Sequence, residues 1–216
     1  NTTSGSCWMN RKKKGGIDVA GGYQAVGDYV NRRLNEYSRN AKEGYVRAYL
    51  AQLRRGIGRI PGDAPEIWGI LFADMPEEMM SRNGKPTKEE WAVYTALTLY
   101  ALHQQSRDVR EENMHRRNIR LGQAVAGLVK SEDDRERVAR RFNAFATAND
   151  MQEAAYYLRG LIQLLRAANI PLDYVRLAQE LYRFQDPDEA PKVRLAWGQD
   201  FYRMKKSETK EEKENA

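Results

Sequence analysis

The sequence predicts an all-α protein, built from two helical bundles with about eight to nine helices in total. Apolar residues recur at spacings of three and four along most of the chain, which is the period of an amphipathic helix. Valine and isoleucine do not form the alternating runs that are typical of strands. Residues that favour helix starts precede several of the apolar stripes. These three observations favour helices throughout the chain.

Start and stop signals place the first helices in order. The segment from Asn40 to Glu43 begins a helix that runs to Arg55 and is stopped by Gly56. A short helix is expected from Pro65 to Ala73. Thr87 to Glu90 has the pattern of a capping box, so a longer helix should begin there.

The second half of the chain shows the same signals. Ser131 to Asp134 opens a helix with an acidic first turn. The next helix runs from Met151 to Arg166, and another follows from Ile170 to Leu181, where Pro171 suits a first helical turn. Arg194 to Tyr202 is expected to be the last helix.

The ends and the middle of the chain suggest its domain organisation. Residues 1–16 are predicted to be a disordered leader, which we interpret in part as a cloning remnant because Met9 looks like a natural start. A charged stretch from Ser106 to Asn118 interrupts the apolar stripe, which divides the chain into an N-terminal bundle, residues 17–112, and a C-terminal bundle, residues 113–204. Residues 205–216 are almost all charged and are predicted to be a disordered tail.

Composition favours a polyanionic partner and argues against a disulfide-linked or membrane-spanning protein. The chain of 216 residues has 36 lysines plus arginines against 30 acidic residues, a net charge of +6 and a pI near 9.3. Cys7 is the single cysteine, which excludes an internal disulfide and is typical of a reducing cytoplasm. No apolar run approaches the roughly 20 residues that span a bilayer. We therefore expect a cytoplasmic protein that does not enter a membrane.

A polyanion should bind where arginines have no carboxylate three or four residues away, because such neighbours partly neutralise each other on a helix. On the helix from Met151, the side chains of Tyr156, Arg159 and Arg166 lie opposite the apolar stripe, so they could offer two guanidiniums and a stacking ring. The full set of candidate nucleic-acid-binding residues is Arg54, Arg55, Arg59, Arg116, Arg117, Arg120, Arg141, Tyr156, Arg159 and Arg166.

Other arginines have acids within helical reach. Arg176 has Asp173 and Glu180, and Arg183 has Glu180. We interpret these as solvated ion pairs that do not contribute to binding.

The sequence gives no support for catalysis. His103 and His115 are the only histidines, and neither belongs to an array of Cys, Asp or Glu at metal-ligand spacing. The glycine pairs lack the strand before them and the Lys-Ser/Thr after them that a phosphate loop needs. We therefore expect no enzyme, no catalytic residue, no metal site and no cofactor.

Several of these segments, taken together, resemble the small, CasB-type subunit of the type I-E CRISPR Cascade complex. The resemblance extends from about Tyr29 to Tyr202. The segments that carry it are Ala51 to Gly56, Arg120 to Gly122, Met151 to Arg166, Ile170 to Leu181 and Arg194 to Tyr202.

The resemblance implies a two-bundle helical protein without catalytic activity, which acts in CRISPR antiviral defence. It implies a second copy of the chain and the backbone and large Cascade subunits as partners. It also implies contact with guide RNA, target DNA and the displaced single strand of DNA, whose binding stabilises the R-loop. Arg54 and Arg55 match the family's Leu-Arg-Arg segment, and Arg159 and Arg166 match the arginines of its Leu-Arg-x-Leu-x-x-Leu-Leu-Arg run.

Two other functions are compatible with the residues alone. One is an all-helical adaptor that binds other proteins through Trp68 or its aromatic faces and does not bind nucleic acid. The other is a helical RNA-binding regulator unrelated to CRISPR.

Overall fold

Nine α-helices make up most of the described part of the chain, residues 19–203, in the computed structural model, and side chains are described for residues 21–203. The helices are α1 (Val19–Arg39), α2 (Gly44–Leu53), α3 (Trp68–Leu71), α4 (Lys88–His103), α5 (Leu121–Ala126), α6 (Glu132–Ala146), α7 (Met151–Ala167), α8 (Tyr174–Phe184) and α9 (Ala190–Arg203). Within this range the only β pairing is one isolated bridge, between His115 and Leu172. The all-α prediction is confirmed. The predicted leader and tail, residues 1–16 and 205–216, lie outside the described residues.

Helix caps form at the predicted positions. The hydroxyl of Thr87 accepts a hydrogen bond from the backbone N–H of Glu90, whose carboxylate accepts the N–H of Thr87 in return, so the capping box is complete. Ser131 caps α6 through the N–H of Asp134. Asp150 caps α7 in the same way.

The helix predicted from Asn40 to Arg55 is shorter than expected. Its α-helical part is α2, and a separate 3-10 turn, Arg54–Gly56, follows it. Gly56 packs against α4: a Cβ atom there would lie 2.8 Å from the hydroxyl oxygen of Tyr94, and that hydroxyl donates to the Gly56 carbonyl at 2.6 Å. This contact fixes the position of Arg54 and Arg55 on the protein surface.

The prediction that Pro171 lies in the first turn of a helix is wrong. The helix begins three residues later, at Tyr174, because the carboxylate of Asp173 caps it by accepting the N–H of Arg176. The residue before the cap, Leu172, instead pairs with the connector around His115.

Helix α4 lies at the centre of the structure. Nearly all of its side chains are buried, and it packs against α1, α2, α7 and α8, while α1 also packs along α8. The buried apolar side chains from both predicted halves form one continuous cluster. The predicted boundary between residues 112 and 113 falls in the non-helical connector between α4 and α5, and the division into two bundles stays a prediction.

Helices α5, α8 and α9 meet around Trp197, which is 1% exposed. The Trp197 ring packs on Phe145 and Phe184, with ring centroids 4.6 and 5.5 Å apart. Its indole N–H donates to the carboxylate of Glu180 at 2.7 Å. A Cβ atom at Gly122 on α5 would overlap the backbone carbonyl of Trp197, so glycine is required for the close approach of α5 and α9.

Within the described residues, no helix is both long enough and apolar enough to span a bilayer.

Candidate nucleic-acid interface

Helix α7 has one buried and one exposed face. Its buried stripe consists of Met151, Ala154, Leu158, Leu161, Ile162 and Leu165. On the opposite face Tyr156 is 69% exposed, Arg159 is exposed and Arg166 is half-buried. These three candidates therefore share the surface that the helical period predicts.

Arg159 lies beside the loop that follows α2. Its Nη1 atom is 3.9 Å from the position that a Cβ atom would take on Gly58. Gly58 has a φ of +82°, a left-handed conformation that glycine adopts without strain. This turn places the loop at Gly58 against the exposed face of α7, and Arg59 is the next residue of that loop.

Arg166 lies near Arg54 at the other end of that face. Burial and the positive charge of Arg166 both lower the pKa of Arg54, whose Nη1 donates to the carbonyl of Ala101 at 3.4 Å. The two guanidiniums are thus close enough for their charges to affect each other, although they come from distant parts of the chain.

Arg107 joins the same cluster and was not among the predicted residues. Its Nη2 donates to the carbonyl of Arg166 at 2.8 Å, and its Nε donates to the side chain of Asn169 at 3.3 Å. Glu111 follows four residues later, a spacing that would pair the two side chains on a helix. The segment is not helical, so that spacing does not bring the two side chains together.

We call Arg54, Arg107, Arg159 and Arg166 the α7 arginine track. None of the four forms an ion pair with a carboxylate among the described residues. The positions of Arg159 and Arg166 are about 10 Å apart along the helix axis, from a rise of about 1.5 Å per residue. The track therefore has positive charge at two places along α7, at Arg159 and around Arg166.

Arg59 was predicted to have no acidic partner, and that prediction is wrong. Its Nη1 lies 2.5 Å from a carboxylate oxygen of Glu66. The pKa of Glu66 is lowered by a hydrogen bond to its own backbone and by the guanidiniums of Arg59 and Arg55. The acid lies seven residues later in a turn, beyond the spacing that applies to helices. Arg55 is exposed and forms no ion pair within the described part of the chain.

A groove runs between α6 and α7 beside the track. Arg140, Arg141 and Ala144 of α6 form one wall, and Tyr156, Arg159 and Gln163 lie among the residues of the other. Its volume is about 580 Å³. We call this space the α6–α7 groove. It places two predicted residues, Arg141 and Tyr156, beside Arg159.

The three connector arginines lie elsewhere. Arg120 forms an ion pair of 2.9 Å with the buried Asp200 of α9, so the prediction that it lacks an acid is wrong. Arg117 donates to the side chain of Asn31 on α1 at 2.8 Å. Arg116 is exposed, and its backbone N–H donates to the carbonyl of Leu172. Their contacts are with α1, α9 and Leu172, which precedes α8, and none of these contacts involves the α7 arginine track.

Both arginines of α8 are paired, but only Arg176 has a predicted partner, and both pairs are only partly exposed to solvent. Arg176 contacts Glu180 at 2.8 Å, and Glu180 is only 3% exposed because it also binds Trp197. Arg183 pairs with Glu189 at 2.6 Å and not with Glu180. The first pair lies within α8 and holds the carboxylate that Trp197 of α9 contacts, and the second joins α8 to the turn before α9.

Both histidines have structural contacts. His103 is fully buried, its Nδ1 lies 2.9 Å from the hydroxyl of Tyr174, and burial together with the charges of Arg107 and Arg166 lowers its pKa to about 4. His115 accepts the backbone N–H of Tyr174 at 3.1 Å, and burial lowers its pKa. Among residues 19–203, no group of His, Cys, Asp and Glu is arranged to hold a metal ion.

The α7 surface has the chemistry of a strand-binding site. Guanidiniums bind phosphate through planar, forked hydrogen bonds, and an exposed aromatic ring can stack on any base. Such groups contact backbone and base faces more than base edges, so the surface is suited to binding that depends little on sequence.

The sequence matches the model of a protein family, described as CRISPR-associated protein Cse2, over residues 49–202. The chain belongs to this Cse2 family. The matched residues include helices α4 to α8, all four arginines of the α7 arginine track and the residues that line the α6–α7 groove.

Solved structures of CasB proteins agree with this assignment. The CasB structure from Thermobifida fusca is 36% identical, covers 82% of this chain and 98% of its own, and has a TM-score of 0.67. The structure of M. ruber CasB, at 24% identity and a TM-score of 0.59, covers 82% of this chain and 97% of its own and shows the same fold. A search of curated proteins found no match. The CasB-type resemblance read from the sequence is confirmed.

Proposed function

We propose that this chain is the non-catalytic small subunit of a type I-E CRISPR RNA-guided surveillance complex and binds single-stranded nucleic acid along the α7 arginine track. Arg55, Arg59, Arg141 and Tyr156 would extend the contact on either side of the track. Membership of the Cse2 family supports the CRISPR assignment, and the surface chemistry supports the binding role.

One observation carries the binding proposal. Two segments that are distant in sequence, the loop after α2 and the exposed face of α7, converge at Gly58–Arg159 and at Arg54–Arg166. Guanidiniums that lie close together repel each other because they have the same charge, and among the described residues none of these forms an ion pair that would offset the repulsion. A polyanionic strand would relieve this repulsion and release its own counterions.

The consequence for the complex follows from the energetics of strand exchange. Replacing a DNA duplex by an RNA–DNA duplex is nearly balanced in free energy, so modest contacts with the displaced strand decide whether the open state persists. An arginine track that holds that strand would stabilise the R-loop. The subunit would do so in the cytoplasm with guide RNA, target DNA, the backbone and large subunits, and a second copy of itself as partners.

Trp68 supports a protein contact within the same complex. Its side chain is 43% exposed on α3, although its indole N–H already donates to the carbonyl of Pro61 at 3.0 Å. A pure adaptor role would leave the α7 track without a ligand. An adaptor that binds only proteins is therefore the second candidate function.

The proposal is tested by charge reversal on and off the track. Arg159→Glu with Arg166→Glu should weaken binding of single-stranded DNA by about tenfold or more at low salt, and should reduce the salt dependence of the affinity. The matched control is Arg82→Glu with Lys85→Glu, at two exposed positions outside the track that form no ion pair among the described residues. Both doubles change the net charge by the same amount.

Affinity is measured across a salt series from about 50 to about 300 mM, with circular dichroism to confirm folding. The control should bind almost as the original protein does. Equal losses in the two doubles would show that net charge, and not this face, determines binding.

A further inference from the structure

We propose that the α6–α7 groove receives one unstacked nucleobase of the bound strand, with the ring of Tyr156 as its stacking surface. This inference rests on the proposed function, because the strand must first lie along the α7 arginine track. It adds a base-dependent contact to a surface that otherwise binds phosphate.

The groove has a suitable size and shape. At about 580 Å³ it falls in the range of small-ligand sites, and it is open on one side, where a flexible strand could enter. Tyr157, Leu161 and Ala144 contribute apolar surface to the lining, so a base could leave water as it enters. The groove borders Arg159, so a strand on the track would pass its entrance.

Tyr156 has a largely exposed side chain whose one described ring contact is with its neighbour in sequence, Tyr157. Its ring is 69% exposed and meets Tyr157 edge-on at a centroid distance of 5.5 Å. Within residues 19–203 its hydroxyl forms no hydrogen bond. A flat aromatic face is therefore available, and every base has a π face that can stack on it.

The charges at the groove favour a nucleotide over a protein side chain. None of the residues that line it is a carboxylate, and Arg141 and Arg159 have no ion pair within the described chain. Arg140 differs, because it pairs with Glu136 at 2.9 Å. The two free guanidiniums lie where the phosphates on either side of an inserted base would pass.

Gly160 provides an independent observation. It lies inside α7, one turn after Tyr156 on the same face, and a Cβ atom at this position would meet nothing within 4 Å. Glycine is unfavourable inside a helix, and packing does not require it at this position. Gly160 lines the groove, so the absence of a side chain there leaves more of the groove unfilled.

The first experiment distinguishes binding to the bases from binding to the phosphates. The full chain is titrated with a single-stranded oligonucleotide and with an abasic oligonucleotide that has the same number of phosphates. We expect the abasic strand to bind about 5- to 100-fold more weakly, which corresponds to the stacking of one base on an aromatic ring.

The second experiment fills the groove. Gly160→Leu should remove the preference for the strand with bases and leave the affinity for the abasic strand unchanged. Gly198→Leu is the matched control, since Gly198 also lies inside a helix, α9, and a Cβ atom there would also meet nothing. That control should keep the preference, and Tyr156→Phe should keep it as well because the ring is retained.

The outcomes distinguish the two proposals. Equal binding of both strands by the original protein would overturn the groove proposal and leave the arginine track intact. An unchanged base preference in Gly160→Leu would also overturn it, as would a Gly160→Leu defect limited to assembly with protein subunits. Failure to bind either strand would overturn the proposed function itself.

Discussion

The Nη1 atom of Arg159 lies 3.9 Å from the Cβ position of Gly58, so the loop after α2 and the exposed face of α7 form one surface. The first segment lies before the central helix α4, and the second lies three helices after it. The conformation of one glycine thus determines whether the loop arginines and the helix arginines act together.

Gly58→Ala should destabilise the protein and weaken strand binding. Its φ of +82° costs an L-residue about 1–2 kcal/mol, and relaxation of that strain would move the loop away from Arg159. Thermal unfolding and single-strand affinity measure the two effects. Gly62→Ala is the control, because Gly62 does not have a positive φ and its Cβ would meet nothing. Identical behaviour of the two variants would contradict the role of the Gly58 turn.

Glu66→Gln should tighten single-strand binding at low salt. The substitution removes the carboxylate that neutralises Arg59 and leaves that guanidinium available for phosphate. Glu78→Gln makes the same change of charge at an exposed position in the turn before α4 and should have a smaller effect. If both variants gain equally in a filter-binding or anisotropy assay, Arg59 does not belong to the interface.

Trp197→Phe should destabilise the protein by about 1–3 kcal/mol, because the buried Glu180 loses its indole donor. Burial already raises the pKa of Glu180, whereas the hydrogen bond from Trp197 lowers it. Without that bond the carboxylate is harder to keep ionised. The loss of stability should therefore be larger at about pH 8 than at about pH 5, where protonation relieves it.

Urea unfolding of both proteins at the two pH values measures this difference. A loss of stability that does not change with pH would mean that the smaller ring, and not the carboxylate, causes the whole effect.

Stability should fall as the pH is lowered from about 6.5 towards 4, in part because of His103. Its pKa is lowered from 6.5 to about 4 in the folded protein. Between these two values the unfolded chain therefore binds a proton at His103 that the folded chain does not bind. The stability that His103 contributes is complete above pH 6.5 and is lost through that window, by an amount of the order of 3 kcal/mol. Urea unfolding at several pH values follows it.

His103→Gln should flatten this pH dependence without removing it. His115 remains, and its pKa is lowered by burial as well. If the unfolding free energy of the variant falls with pH as steeply as that of the original protein, protonation of His103 is not a source of the acid sensitivity.

The helical class and the helix caps could be predicted from the sequence. The Thr87 box, the Ser131 cap and the exposed face of α7 depend only on residues three or four positions apart, and such interactions are already determined by the helical period. The family segments were recognisable for the same reason, since they are runs of helical pattern.

The partners of the arginines were decided only by the tertiary structure. Arg120 meets Asp200 and Arg59 meets Glu66, because packing and turns bring together carboxylates that lie outside helical spacing. Arg107 was not predicted; Glu111 lies at helical spacing from it, but the segment is not helical, so the spacing does not bring the two side chains together. Local spacing determines which face of a helix a side chain occupies, but the charges around that side chain depend on which other segments fold against it.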